Sequence, residues 1–176
     1  MNDWRTAYLG LGSSLGARRS LLQDAVQRLA DLKPRLEVTG VSPIYEAPHL
    51  GLKPEDETRY PAHLNCVVKI STNFTPSELL DWIQAIEEKA GRQRLEKWAP
   101  RTLDIDILLY NGLKVQTEEL TIPHPGLAER AFVVLPLYDL TPELILPDGS
   151  MLAELRRSEV IRKQRITRFE EAEPLL

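Results

Sequence analysis

The chain has 176 residues, which is long enough for one domain with a hydrophobic core but short for two. Hydrophobic residues make up 43% and charged residues 27%, so the composition excludes a disordered or fibrous protein. The net charge of −4 and the sequence pI near 5.5 argue against a protein whose main partner is nucleic acid.

The N-terminal segment has neither the basic start nor the apolar stretch of a signal peptide, and no segment approaches about 18 consecutive apolar residues. We therefore expect a cytoplasmic protein without a membrane partner, and we expect it to be a monomer. Cys66 is the only cysteine, which excludes an intramolecular disulfide, and its apolar neighbours favour a buried thiol.

The chain begins with a predicted strand and helix. The apolar segment TAYLGLG, which is stopped by glycines, predicts a strand over about residues 6 to 11. The next segment has apolar residues at helical spacing, with Ser14 or Ser20 as the candidate N-cap and Pro34 as the end of the helix.

Two further strands flank a long loop. The β-branched residues of 36–46 predict a strand that is kinked or lies at an edge, because Pro43 cannot donate a hydrogen bond to a neighbouring strand. Residues 47–62 carry three prolines and several charges, as functional or mobile loops often do. The segment HLNCVVKIST predicts the next strand.

A well-marked helix and a last strand follow. Thr75 predicts the N-cap of this helix, since Pro76 comes next and Glu78 completes a capping box. Gly91 marks the end of the helix. A basic loop, RQRLEKWAPRT, then leads into the strand LDIDILLY.

The order strand, helix, strand, strand, helix, strand indicates an α+β fold of the ferredoxin-like, split βαβ plan, in which helices pack on one face of an antiparallel sheet. After it, residues 121–140 and 150–161 predict two more short helices joined by proline-rich turns. We expect one domain over residues 1–160 and a polar tail of no assigned role over residues 161–176.

Two carboxylates in the last strand carry the first functional signal. Side chains alternate along a strand, so Asp104 and Asp106 share a face with their Cα atoms about 6.5 to 7 Å apart, while Ile105, Ile107 and Leu109 share the other. Carboxylates that point together repel each other unless a cation lies beside them. Mg²⁺ fits this role because it takes hard oxygen ligands and is often held by one or two carboxylates plus substrate phosphates.

A strand with two aspartates is often only a solvated polar face, but the neighbouring residues are basic. Four cations, Arg92, Arg94, Lys97 and Arg101, lie on the preceding loop. They are suited either to salt bridges or to a metal-bound polyphosphate. From the residues alone both interpretations stay open.

Other motifs give weaker signals. Gly10, Gly12 and Gly16 have the spacing of neither the dinucleotide fingerprint nor the Walker A motif, so we interpret them as a close-packed turn between strand and helix. His124 lies between two prolines, in a rigid setting. A zinc site would need scattered ligands, since the chain has one cysteine and three histidines, and we do not expect one.

The segment EKWAPRTLDIDILLY closely resembles the signature of the 6-hydroxymethyl-7,8-dihydropterin pyrophosphokinases of folate biosynthesis. Four further segments match this family in its own order: YLGLGSSLG, YEAPHLG, LNCVV and IPHPGLAERAFVVLPLYDLTPELILPDG. The resemblance spans about residues 5 to 155. It implies a ferredoxin-like fold and the transfer of the pyrophosphoryl group of ATP to the hydroxymethyl oxygen of the pterin, with release of AMP.

The resemblance also implies roles on the ATP side of a site. It assigns two Mg²⁺ to Asp104 and Asp106, where they bridge the ATP phosphates and the attacking hydroxyl. It places Arg92 and Arg94 on a loop that closes over ATP, with Arg101 just before the strand. The remaining residues implied to contact ATP are Gln84, Glu87, His124 and Arg130.

On the pterin side, the resemblance implies that Trp98 and Phe132 sandwich the ring while Asn65 hydrogen-bonds its edge. Pro48 and Leu50 are implied to line the same site. Stacking on two aromatic faces together with a side-chain amide suits a flat, polar heterocycle.

Two alternatives belong to other functional classes. A non-catalytic ferredoxin-like module that binds RNA would need a basic, aromatic sheet face, whereas this face carries Asp104 and Asp106. A small-molecule kinase that releases ADP is separated from a pyrophosphokinase only by its nucleotide product.

Overall fold

The computed structural model describes residues 4–48, 61–91, 102–169 and 175–176. Among these residues, numbered in chain order, the main sheet has six strands: β1 Arg5–Ser13, β2 Leu36–Val41, β3 Tyr45–Ala47, β4 His63–Thr72, β5 Asp104–Tyr110 and β8 Thr167–Arg168. Two short strands, β6 Val115–Gln116 and β7 Thr121–Ile122, pair with each other. The helices are α1 Arg18–Ala30, α2 Pro76–Lys89, α3 Ala131–Leu140, α4 Leu152–Leu155 and α5 Glu159–Arg162, and Leu127–Glu129 forms a 3-10 turn.

β1 pairs with β5 on one side and with β4 on the other, both in antiparallel register. β4 in turn pairs with β2 and β3. The predicted single strand over 36–46 is therefore two strands, which break around Pro43. Ser42, the residue before this proline, bonds to Val67 instead: its amide donates to the Val67 carbonyl and its hydroxyl accepts from the Val67 amide, each at 2.9 Å.

α1 and α2 cover one face of the sheet and form the main core, which confirms the predicted α+β arrangement. α1 contributes Leu22, Val26 and Leu29, and α2 contributes Leu79 and Ile83, all of them buried. These side chains recur at helical spacing, so one stripe of each helix faces the strands. The sheet contributes Leu9, Leu11, Cys66, Ile105 and Ile107 to the same cluster.

The start of α1 differs from the prediction. The residue before the helix is Ala17, and no side chain caps it, so Ser14 and Ser20 were wrong as candidate caps. Ser14 lies too early because the chain first turns at Gly16, where φ is +70°. The helix ends at Ala30.

The opposite face of the sheet is covered in part by α3, α4 and α5, which form a second buried cluster with the sheet. The predicted helix over 150–161 is two short helices, α4 and α5. Leu109 belongs to this second cluster, and the prediction that it shares a face with Ile107 was wrong. Tyr8 pairs with Leu109 and Leu9 with Ile107, so Leu108 is an extra residue that reverses the alternation.

Part of the C-terminal segment lies on the sheet. β8 pairs antiparallel with β3, and the Phe169 amide donates to the Ile44 carbonyl at 2.8 Å. Leu175 is buried in the main core. Within the described ranges, no helix is long and apolar enough to cross a membrane.

Replacing Thr75 by alanine should lower the free energy of unfolding by about 1 kcal/mol, because the change removes one half of the predicted capping box. The Thr75 hydroxyl accepts from the Glu78 amide at 3.2 Å, and the Glu78 carboxylate accepts from the Thr75 amide at 2.8 Å. Urea unfolding measures the loss. Thr75→Ser, which keeps the hydroxyl, is the control, and an equal loss in both variants would contradict the role of the cap.

Candidate active site

One row of paired residues crosses the sheet and joins two of the predicted site residues. Gly12 of β1 pairs with Asn65 of β4 on one side and with Asp104 of β5 on the other. In the next row, Gly10 pairs with Val67 and Asp106. Residues that pair directly across strands present their side chains to the same face. The amide of Asn65 and both carboxylates therefore share one face, with glycines between them.

The position of these glycines corrects an expectation from the sequence. Gly10 and Gly12 lie inside β1, and only Gly16 of the three lies in the turn before α1. A Cβ atom added to Gly12 would lie 3.0 Å from the Asn65 Oδ1 atom, and one added to Gly10 would lie 3.3 Å from the Leu108 side chain. The Asn65 Oδ1 atom and the Leu108 side chain therefore lie directly against the space that a side chain at Gly12 or Gly10 would need.

Asp104 and Asp106 occupy the edge strand of the sheet, and their side chains are only partly covered. The Asp106 side chain is 43% exposed. Between them, the Ile105 amide donates to the Glu87 Oε1 atom at 2.8 Å. Glu87 is only 3% exposed, so this hydrogen bond connects β5 to α2 inside the core. Gln84 lies one turn earlier on α2 and is half-buried.

His124 is brought to the carboxylates by the chain after β7. Its backbone amide donates to the carbonyl of Leu108, the extra residue of β5, at 3.0 Å. Its Nε2 atom lies 3.8 Å from Asp106 Oδ2. The Gly126 amide donates to the other ring nitrogen, Nδ1, at 3.1 Å, so the proton of the neutral ring is on Nε2 and faces Asp106.

The surroundings of this imidazole favour its neutral form. Burial lowers the pKa of His124, Asp106 and Asp104 raise it, and Arg130 lowers it; the net direction is below the usual value. The contact with Asp106 is thus a long approach of an N–H group to a carboxylate, and not an ion pair.

Arg130 and Phe132 lie next to this histidine. The Arg130 guanidinium carbon is 5.9 Å from the centroid of the Phe132 ring. A Cβ atom on Gly126 would lie 2.5 Å from Arg130 Nε, so the guanidinium packs directly against a residue that has no side chain. This contact places a fixed positive charge beside the His124 turn.

Among the described residues, Asn65, Asp104 and Asp106 thus share one face of the sheet, His124 lies beside Asp106, and Arg130 lies against Gly126 and Phe132. Pro48 is half-buried just after β3. Five predicted site residues lie outside the described residues: Leu50, Arg92, Arg94, Trp98 and Arg101. The expected turn at Gly12 was wrong, and no role was expected for Gly126. Two glycines spaced by two in an apolar segment, Gly10 and Gly12, were the available signal for the place of Gly12 in a strand.

The carboxylates fit a hard divalent cation. Two partly exposed aspartates on one face offer hard oxygen ligands and leave room for phosphate or water oxygens, which is how proteins usually bind Mg²⁺. Over the described part of the chain, no group of three or more His, Cys, Asp or Glu side chains forms a complete metal site.

A family model described as 7,8-dihydro-6-hydroxymethylpterin-pyrophosphokinase (HPPK) matches residues 8–142. Two similar proteins are both named 2-amino-4-hydroxy-6-hydroxymethyldihydropteridine pyrophosphokinase. The one from Haemophilus influenzae is 41% identical over 150 residues, which cover 85% of this chain and 90% of the relative. The one from Pseudomonas aeruginosa is 43% identical over 148 residues, covering 84% and 88%.

Solved structures share the fold at low sequence identity. An HPPK-DHPS protein of Plasmodium falciparum aligns with a TM-score of 0.68 and 17% identity over 96% of this chain. A structure titled HPPK-DHPS in complex with substrates aligns with a TM-score of 0.71 and 14% identity over 93% of this chain. This chain spans 49% and 46% of those two longer chains.

Replacing Glu87 by leucine should lower the free energy of unfolding by about 1 to 3 kcal/mol, because it leaves the buried Ile105 amide without this acceptor. Glu87→Gln keeps an acceptor oxygen at the same place and should cost less. Urea unfolding compares the two variants, and hydrogen exchange at the Ile105 amide reports the bond directly. Equal exchange rates in Glu87→Leu and the unchanged protein would contradict this account.

Proposed function

The chain belongs to the 7,8-dihydro-6-hydroxymethylpterin-pyrophosphokinase family, and from this membership we propose that it transfers the pyrophosphoryl group of ATP to 6-hydroxymethyl-7,8-dihydropterin in folate biosynthesis. The hydroxymethyl oxygen forms a bond to the β-phosphorus of ATP. The bond from that phosphorus to the oxygen of the α-phosphate breaks, AMP leaves with that oxygen, and the hydroxyl proton passes to solvent.

The arrangement of the sheet face is the observation that carries this proposal. On this face Gly12 lies between the Asn65 amide and Asp104, with Asp106 in the next row and His124 beside Asp106. A heterocycle bound at Asn65 would have its substituent directed along the row of paired residues toward the carboxylates. The reacting oxygen and the phosphates would then meet over one strand, which is the positioning that phosphoryl transfer requires.

We propose that Asp104 and Asp106 hold two Mg²⁺. Ions bound there would supply positive charge that offsets the negative charge of the phosphates during the transfer. The two side chains share a face and are only partly covered, which suits this role. Glu87 would hold the backbone between them in place through the Ile105 amide.

The other residues would bind and orient the two substrates. His124 would present its Nε2 hydrogen, and Arg130 its guanidinium, to the triphosphate; the bond from the Gly126 amide to Nδ1 and the place of Arg130 beside Phe132 support this. Phe132 would stack on one face of the pterin, with Trp98 on the other. Gln84 would lie on the nucleotide side, Pro48 and Leu50 on the pterin side, and Arg92, Arg94 and Arg101 would bind ATP.

Replacing Asp104 or Asp106 by asparagine should lower kcat by about a hundredfold or more, since each change removes a charge that acts on the phosphates in the transition state. The rate of AMP formation at saturating Mg²⁺ measures the effect. Asp24→Asn on the exposed side of α1 is the matched control. Rates in either variant that equal those of the control would refute the two-metal role.

Replacing Gly12 by alanine should raise KM for the pterin about three- to tenfold, because the added methyl group presses on Asn65 Oδ1. KM for ATP should change little. Gly40→Ala is a suitable control, since Gly40 is a strand glycine of β2 away from this row. An unchanged KM for the pterin in Gly12→Ala would show that the contact of residue 12 with Asn65 does not affect pterin binding.

A further inference from the structure

We propose that Arg18 is a positioning residue for pterin binding. Its contacts connect the end of β3 and the start of β4 to α1 and thereby hold the Asn65 side chain in position. This inference rests on the proposed function, because it assumes that Asn65 binds the pterin. Arg18 is the first residue of α1 and belongs to none of the motifs described above.

One atom of Arg18 makes both contacts. Its Nη1 donates to Glu46 Oε1 at 2.7 Å and to the Ala62 carbonyl oxygen at 2.6 Å. The side chains of Arg18 and Glu46 are 26% and 33% exposed, so water only partly screens the ion pair. Charge-assisted hydrogen bonds of this kind are short and stronger than neutral ones.

These contacts complete a closed path through the chain that includes Asn65. β4 begins just after Ala62, and Asn65 is the third residue of that strand. Asn65 pairs with Gly12 of β1, and β1 leads through a short turn to Arg18. The Arg18 side chain in turn donates to the Ala62 carbonyl, which completes the path. A shift of the start of β4 would move Asn65 away from Gly12, and the Arg18 contact opposes that shift.

β3 is the other element that Arg18 holds, and it is only three residues long. Such a short strand makes few ladder hydrogen bonds, so side-chain contacts contribute strongly to its position. Its Tyr45 pairs with Asn65, and the Tyr45 hydroxyl donates to Asp139 Oδ2 at 2.7 Å. β8 pairs with the edge of β3 that faces away from β4. Arg18 holds the same strand from the α1 side, through Glu46.

The topology separates this effect from the ATP side of the site. Arg18 acts on β3 and β4, which lie on one side of β1, whereas Asp104 and Asp106 lie on β5 on the other side. Loss of the contact should therefore weaken pterin binding selectively. A role in general stability would instead lower Tm without this selectivity.

The test compares Arg18→Met with Arg28→Met, a matched change at an exposed position of the same helix. We expect Arg18→Met to raise KM for the pterin about fivefold, with kcat and KM for ATP within about twofold of the unchanged protein. Calorimetric titration with the pterin, in the presence of a non-hydrolysable ATP analogue, should show the same rise in Kd. Arg28→Met should match the unchanged protein in both measurements.

Glu46→Gln provides a second variant that keeps an acceptor oxygen and the Ala62 contact, and it carries the test if Arg18→Met does not fold. It should raise KM for the pterin by less than Arg18→Met does. The double variant should be no worse than Arg18→Met alone, because both changes break one network.

An unchanged KM for the pterin in Arg18→Met would overturn the proposal. Additive effects in the double variant, or an equal loss of pterin and ATP binding, would overturn it too. Failure of the proposed function looks different, since the unchanged protein would then form no AMP from ATP and the pterin.

Discussion

The register of β1 between its two neighbours is the constraint on which the candidate site depends. Backbone hydrogen bonds fix Gly12 opposite Asn65 on one side and opposite Asp104 on the other. A slip of one residue would turn every side chain of a strand to the opposite face. The register is held by the main core, where Leu9 and Leu11 alternate with Gly10 and Gly12 and pack under α1 and α2. Packing on the face covered by α1 and α2 thus determines which residues lie opposite one another on the face that carries the candidate site.

The extra residue in β5 also shapes the candidate site. Leu108 lets Leu109 turn to the face that α3 covers, while Asp104 and Asp106 keep their place over the glycines. The Leu108 carbonyl also accepts the His124 amide, which brings that imidazole to Asp106. This one irregularity in β5 therefore completes the second core cluster and also places the His124 side chain next to the carboxylates.

Features that depend on local chemistry could be predicted from the sequence. Thr75, Pro76 and Glu78 define the start of α2 by themselves, and the alternation of a strand suffices to place Asp104 and Asp106 on one face. Features that depend on a partner strand could not. Gly10 and Gly12 continue β1 because β4 and β5 pair with them on both sides, although glycines alone indicate a stop. The strand β8 has two residues and no apolar pattern, and it forms because β3 offers an edge.

The most direct test of the central claim is to identify the nucleotide product. The protein is mixed with ATP, Mg²⁺ and 6-hydroxymethyl-7,8-dihydropterin, and the products are separated by chromatography. We expect AMP, formed only when the pterin is present, together with the pterin diphosphate in equal amount. Formation of ADP, or no turnover by protein shown to be folded, would contradict that claim.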